Sequence, residues 1–218
     1  MNVIKAILFD LDGTLIDTNK LIIESFKHTF RNHLNKEISE GDIINCFGEP
    51  ITITLARYDK DNVEELMKTF KKFNEDKHDE LAIGISNAIE TIKELKKINI
   101  KIAVVTSKRR VMAERGLKLF GLFELIDLLI TPEDTIKHKP DGEPAEKACE
   151  ILKVYKHEAL MVGDSHFDIL CGKNAGCKTC VVGYTALPIE SIMIYNPDYK
   201  IESLKDLLSI IEMSAEAV

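Results

Sequence analysis

The chain has 218 residues, 45% of them apolar and 30% charged, with 29 basic and 36 acidic side chains giving a formal charge of −7. That length fits a domain carrying a sizeable insertion, and the apolar share can fill a large core. The acidic balance, with no evident basic face, argues against a nucleic-acid binder, and the longest apolar runs fall far short of the roughly 20 residues of a membrane span.

The N-terminal residues Met1–Lys5 carry no signal-peptide pattern and run straight into a strand-like segment, so a cytoplasmic protein is expected. Val3–Phe9 reads as a buried strand stopped by Asp10-Leu11-Asp12-Gly13-Thr14. Three helical patterns follow, Leu21–Phe30, Glu40–Cys46 and Val63–Asp76, with a Gly48-Glu49-Pro50 break between the second and third. The alternation then settles into strands and amphipathic helices. Helix Asn87–Lys97 precedes strand Lys101–Val105, and helix Arg110–Phe120 precedes strand Leu125–Ile130. Helix Glu143–Leu152 precedes strand Ala159–Val162, a helix runs to a C-cap at Gly176, and strand Thr179–Val182 ends at Gly183. Short apolar strands alternating with helices predict an α/β fold, a Rossmann-like parallel sheet made by residues 1–16 and 82–218. Residues 17–81 break the alternation and are expected to form a helical cap inserted over the mouth of the site. Five cysteines, an odd number, argue against a disulfide framework, and Cys177-x-x-Cys180 leads into a strand rather than a helix. They are read as reduced, packed thiols. The internal His78-Asp79-Glu80-Leu81 spells a retention signal, but such signals are read only at a C-terminus.

Ligands of open α/β sheets sit beyond the carboxyl ends of the strands, and that is where the reactive residue types fall. Asp10 and Asp12 stand two apart at the first strand end. At about 4 Å and an effective dielectric near 20, two such carboxylates repel by roughly 4 kcal/mol, so a cation or a proton must offset them. Phosphoryl transfer uses both remedies. One carboxylate binds Mg²⁺ and attacks phosphorus, and the other is general acid and then base. Gly13 permits a sharp turn that, with Thr14, brings backbone N–H groups near a phosphate. The Thr106 hydroxyl and the Ser107 N–H, at the next strand end, can bond phosphate oxygens. Lys139, made rigid by Pro140, is preferred over Lys137 as the ammonium that holds Asp10 and substrate together. Asp164 matches the hard oxygen ligands of Mg²⁺. Asp168, four residues on, either orients the metal's water, holds Lys139, or favours its helix dipole as an N-terminal charge. His166 between them is read as an ordinary exposed histidine.

In this order, Asp10-Leu-Asp12-Gly-Thr, Thr106, Lys139 and Gly163-Asp164-Ser165-x-x-Asp168, the motifs resemble the haloacid dehalogenase-like phosphohydrolases over the whole chain. The resemblance implies Asp10 as nucleophile, Asp12 as acid and base, and Thr106 and Lys139 as phosphate and charge anchors. It implies Mg²⁺ on the Asp10 carboxylate, the Asp12 backbone carbonyl and Asp164, and a cap whose Gly48-Glu49-Pro50 turn approaches substrate. One departure is small: Gly142 stands where the family often has proline, and Pro144 keeps the next one. Within the phosphoglycolate-phosphatase-like branch, the stretches 7–23, 73–81 and 159–164 are similar to bacterial inorganic pyrophosphatases. Members of that group remove the diphosphate formed when HPr kinase/phosphorylase dephosphorylates seryl-HPr.

Diphosphate is therefore the expected substrate, with phosphoglycolate or another small phosphomonoester as the alternative. Lys108, Arg109 and the cap residue Arg57 are candidates for compensating its second anionic end. A phosphosugar mutase on the same fold would have to protect its aspartyl phosphate from water. A receiver domain would place its acid pair and phosphorylated Asp on separate strands, which the Asp-x-Asp spacing and the cap-sized insertion speak against.

Overall fold

The computed structural model describes residues 3–216. In chain order, β1 (Ala6–Phe9) and β2 (Ile16–Asp17) precede α1 (Asn19–Leu34), α2 (Glu40–Ile44), α3 (Ile51–Tyr58), α4 (Val63–Leu81) and β3 (Ile83–Gly84). Then come α5 (Ala88–Lys97), β4 (Lys101–Val105), α6 (Arg110–Leu119), β5 (Leu128–Ile130), α7 (Glu143–Leu152) and β6 (Ala159–Gly163). The chain ends with α8 (His166–Ala175), β7 (Lys178–Val182), α9 (Ile189–Met193), β8 (Tyr199–Ile201) and α10 (Asp206–Glu216). It divides into two compact units, one spanning Asp17–Ile83 and the other the residues before and after it.

The unit formed by the two outer segments is built on a six-stranded sheet in the order β5-β4-β1-β6-β7-β8, and every pair in it is parallel. β1 and β6 are buried at every residue, as near-continuous apolar runs covered on both faces must be. β1 lies between β4 and β6, with Phe9 level with Val104 on one side and Val162 on the other. The strand order turns there from descending to ascending, so three strand ends carry Asp10, Thr106 and Asp164 to neighbouring positions. On one face, Ala145, Ala148, Cys149 and Leu152 of α7 and Cys171 and Ala175 of α8 pack on Leu8, Ala103 and Met161. Small side chains at these helix positions let the helices lie close to the sheet, which fixes where their N-termini point.

Expected and observed elements differ in places: one expected strand is shorter, and β8 and α3 are not among the expected elements. Only residues 128–130 of the expected strand 125–130 are strand; Phe123–Leu125 is a 3-10 turn. Asp127 explains the shortening, because its carboxylate takes the Ile102 N–H at 2.8 Å and Lys96 at 2.5 Å. β8 has no counterpart among the expected elements, since only Ile201 of its three residues is buried and apolar. α3 has none either; its β-branched start, Ile51-Thr52-Ile53-Thr54, is poor in helix formers, yet Thr54 and Leu55 are buried.

In the unit Asp17–Ile83, α1 packs on α4 through Phe26, which stacks on Phe30 at 5.8 Å and meets Phe70 edge-on at 4.8 Å. Aromatic contacts of this geometry add about 0.5–1.5 kcal/mol each beyond the area they bury. Among the described residues, no helix is long and apolar enough to cross a membrane.

Candidate active site

Asp10 follows β1 directly, and its N–H is donated to the Val162 carbonyl at 2.8 Å, which continues the ladder one residue past the strand. Its Oδ1 accepts from Lys139 Nζ at 2.5 Å. The same ammonium donates to Asp168 Oδ1 at 2.7 Å. All three side chains are buried. Lys139 reaches this point from the loop ahead of α7, where the Lys139-Pro140 peptide is cis and the Pro140 carbonyl accepts from Asn174 Nδ2 at 2.9 Å.

Asp168 is committed on its other oxygen as well. Its Oδ2 accepts from the Ser165 N–H at 3.1 Å and from the Ser165 hydroxyl at 2.7 Å, forming a capping box at the start of α8. Of the three roles open to Asp168 in the sequence, the structure shows it as the partner of Lys139 and an N-terminal helix charge. Asp164 ends the adjacent strand. Its carboxylate lies directly over Gly13, where an added Cβ would come within 2.1 Å of Asp164 Oδ2. Gly13 also has φ of +79°, so glycine is required there twice over.

The Asp12 carboxylate lies outside that buried group, though near enough for its charge to help raise Asp10. Its Oδ1 accepts from Lys108 Nζ at 2.7 Å. Lys108 is itself set by the second strand end, its N–H donating to Thr106 Oγ1 at 3.1 Å. Thr106 is buried, Ser107 exposed and Lys108 half-buried. The structure thus brings Asp10, Lys139, Asp164 and Asp168 together, with Asp12, Lys108 and Thr106 forming a second charged set beside Asp10. Gly48, with φ of +81°, lies in the turn ahead of α3 in the other unit. Thr14 is buried and its carbonyl accepts from the Tyr184 hydroxyl at 2.9 Å. His166 packs rather than projecting freely, its ring stacked on Tyr195 at 5.4 Å, and burial lowers its pKa.

The electrostatics follow from burial. Desolvation, the largest cause, raises the Asp10 carboxyl from 3.8 to about 7; Lys139 opposes this, while Asp168 and Asp12 add to it. Asp164 is raised well above the ordinary carboxylate range by burial first and then by Asp168 and Asp10. Burial alone would lower Lys139, but the Asp10 and Asp168 carboxylates outweigh it and raise that ammonium instead.

Three buried carboxylates face one ammonium, so the cluster lacks positive charge. Asp10, Asp164 and Asp168 each offer an oxygen within 4.8 Å of the others. An all-oxygen donor set short of positive charge fits a hard divalent cation. Asp10 and Asp164 are the better donors, since both Asp168 oxygens already accept hydrogen bonds. The Asp12 side chain is not in this cluster, and its expected contribution is through its backbone carbonyl.

Ser165 already stands in the motif Gly163-Asp164-Ser165-x-x-Asp168, but two polar residues, Tyr184 and Thr185, carry no signal of their own in the sequence. Ser165 joins the Asp168 capping box, while Tyr184 and Thr185 reach the Thr14 and Asp164 carbonyls, the latter at 2.7 Å. Position offers one, because both of the latter hydroxyls follow Gly183, the end of another strand of the same parallel sheet.

Comparison with known proteins agrees with this geometry. Residues 7–182 match the haloacid dehalogenase-like hydrolase family. A protein of Clostridium perfringens, provisionally named pyrophosphatase PpaX, is 52% identical over 209 residues, covering 96% of this chain and 98% of that one. The pyrophosphatase PpaX of Halalkalibacterium halodurans is 45% identical over 212 residues, covering 97% and 99%. A crystal structure of a provisionally named haloacid dehalogenase-like hydrolase from Bacteroides fragilis superposes with a TM-score of 0.87 at 25% identity, covering 94% of this chain and 99% of that one. A family match over most of the chain, together with relatives this similar along nearly their whole length, means that this chain belongs to the haloacid dehalogenase-like hydrolases.

Proposed function

We propose that the protein hydrolyses inorganic diphosphate to two phosphates, with Asp10 as the nucleophile and Mg²⁺ as the divalent ion. The observation that carries the chemistry is the buried Asp10–Lys139–Asp168 set with Asp164 beside it. Support for diphosphate, rather than a phosphomonoester, comes from the relatives named pyrophosphatase at 45–52% identity.

In this reading an Asp10 oxygen attacks one phosphorus in line, forming an O–P bond as the bridging P–O bond breaks. Lys139 holds Asp10 by Oδ1 and keeps positive charge next to the phosphoryl oxygens, which is the stabilisation such a transition state needs. Asp168 holds Lys139 in place. Asp12 delivers a proton to the departing phosphate oxygen, then accepts one from the water that attacks the aspartyl phosphate and frees Asp10. A leaving phosphate that reaches Asp12 also meets the Lys108 ammonium, which suits a leaving group bearing its own charge. Thr106 and the N–H groups of Ser107, Gly13 and Thr14 bind the transferred phosphoryl group. Asp10, Asp164 and the Asp12 carbonyl would hold Mg²⁺, which when bound supplies charge that neutralises the phosphate oxygens.

The proposal extends to the unit Asp17–Ile83 acting as a substrate-selecting cap through Gly48, to a cytoplasmic setting, and to diphosphate supplied by HPr kinase/phosphorylase. The test is phosphate release with Mg²⁺ from diphosphate, phosphoglycolate and several sugar phosphates. Diphosphate should lead by orders of magnitude in kcat/KM. If phosphoglycolate leads, the Asp10 chemistry stands and the diphosphate assignment falls.

A further inference from the structure

We infer that Tyr184 and Thr185 are positioning residues that hold the two loops bearing Asp10 and Asp164 in the register needed to bind a divalent cation. The inference rests on the proposed reading of those carboxylates as cation ligands.

Asp10 and Asp164 come from different strands. Both are buried, and with Asp168 they set three acidic groups against the single ammonium of Lys139. Repulsion between two carboxylates on separate loops opposes their close approach. Their fit is also tight, since Asp164 Oδ2 occupies the space beside Gly13 that a Cβ would need. A small separation of the loops would open the donor set.

Two adjacent hydroxyls oppose that separation. The Tyr184 hydroxyl donates to the Thr14 carbonyl at 2.9 Å, on the loop that follows Asp10. The Thr185 hydroxyl donates to the Asp164 carbonyl at 2.7 Å. Thr185 Oγ1 also accepts the Leu187 N–H at 3.1 Å on one lone pair, while its proton goes to the Asp164 carbonyl, which can only accept. The segment is anchored independently of the site. The Gly183 N–H donates to the Ile201 carbonyl at 2.7 Å, and Leu187 and Ile189 pack on Ile169, Val181 and Ile192. One turn thus grips both carboxylate loops by their backbones. Outer-shell hydrogen-bond partners of metal ligands typically contribute about 10–100-fold to cation affinity.

The experiment is calorimetric titration of Mg²⁺ into the full-length protein without substrate, comparing wild type with Thr185→Val, Thr185→Ser and Tyr184→Phe. Urea unfolding of each variant shows whether it is folded. Thr185→Val should bind Mg²⁺ roughly 10–100-fold more weakly, and Tyr184→Phe at least several-fold more weakly. Thr185→Ser keeps the hydroxyl and should bind within about twofold of wild type, which a purely packing role for the side chain would not produce. If Thr185→Val does not fold, Tyr184→Phe, which removes one oxygen atom, carries the test. Wild-type affinity in a folded Thr185→Val or Tyr184→Phe protein overturns the inference, as does a Thr185→Ser protein as weak as Thr185→Val. A wild-type protein that takes up no Mg²⁺ removes the cation-site reading itself and the inference with it.

Discussion

Asp10→Asn should make the cation-free protein more stable while abolishing turnover. The Asp10 carboxyl has its pKa raised from 3.8 to about 7 by burial, with the attraction of Lys139 already included in that balance. Between those two values the unfolded chain has released a proton that the folded protein still holds. The folded state therefore binds more protons, and stability falls as pH rises through this window. A tenfold change in an acid's dissociation constant is worth about 1.4 kcal/mol, so the cost of keeping Asp10 buried reaches about 4 kcal/mol at pH 7 and less than about 2 kcal/mol at pH 5. Asparagine has the same shape, keeps an oxygen for Lys139 and carries no such cost. Urea unfolding of chelator-treated wild type and variant at pH 5, 6 and 7 measures the difference. The variant's midpoint should exceed that of wild type, and the gap should widen with pH at constant m-value. A variant less stable than wild type at pH 7, or a gap that does not widen, would refute the argument that Asp10 is held against its own desolvation. Adding Mg²⁺ should then favour wild type, by about 2.7 kcal/mol at a hundred times its Kd.

Lys139→Ala leaves Asp10 and Asp168 facing each other without their shared ammonium, and should cost about 3–5 kcal/mol of stability together with turnover, read by urea unfolding and phosphate release. Stability within about 1 kcal/mol of wild type, the size of a surface ion pair, would contradict the buried geometry. Asp12→Ala should slow both formation and hydrolysis of the aspartyl phosphate, which rapid-quench kinetics resolves; an effect confined to KM would remove Asp12 from proton transfer. Gly142→Ala would bring a Cβ within 2.6 Å of the Ala175 backbone nitrogen, where no flexible side chain can give way. It should destabilise the protein by about 1–3 kcal/mol, with the loss visible in the unfolding midpoint.

The reactive residues are legible in the sequence because each stands at a strand end, where an apolar run stops abruptly at an acid or a hydroxyl. Asp10 and Asp164 can be picked from the chain for that reason, while Thr106 becomes a candidate only in company with the Asp10 motif. Their partners are harder to read. Lys139 can be preferred over Lys137 through Pro140, but its simultaneous contact with Asp10 and Asp168 spans 129 and 29 residues, and no local pattern encodes it. The pairing of Lys108 with Asp12 bridges 96 residues and is likewise invisible. Tyr184 and Thr185 lack any charge or motif to mark them. Their role emerges only when β7 is placed beside β6, because strand order, unlike strand location, depends on non-local pairing. The same limit hides β8, whose three residues join the sheet beside β7 while Asp198, just ahead of them, accepts from the Thr179 N–H and hydroxyl at 2.8 Å.

The stability cost at Asp10 and its proposed chemistry have the same source. A nucleophilic carboxylate in water is well solvated and weak; buried among other acids it is a less comfortable anion, and it gains from any positive charge brought next to it. Lys139 supplies one such charge permanently, which keeps the cluster folded but leaves it short. The remaining deficit would let the proposed divalent cation, and a phosphoryl group carried with it, bind with more free energy than a neutralised site would offer. A second buried lysine would make the resting protein more stable, and it would also occupy the charge deficit that a cation is proposed to fill. Keeping Asp10, Asp164 and Asp168 against Lys139 alone therefore trades resting stability for a site that is electrostatically complete only when loaded.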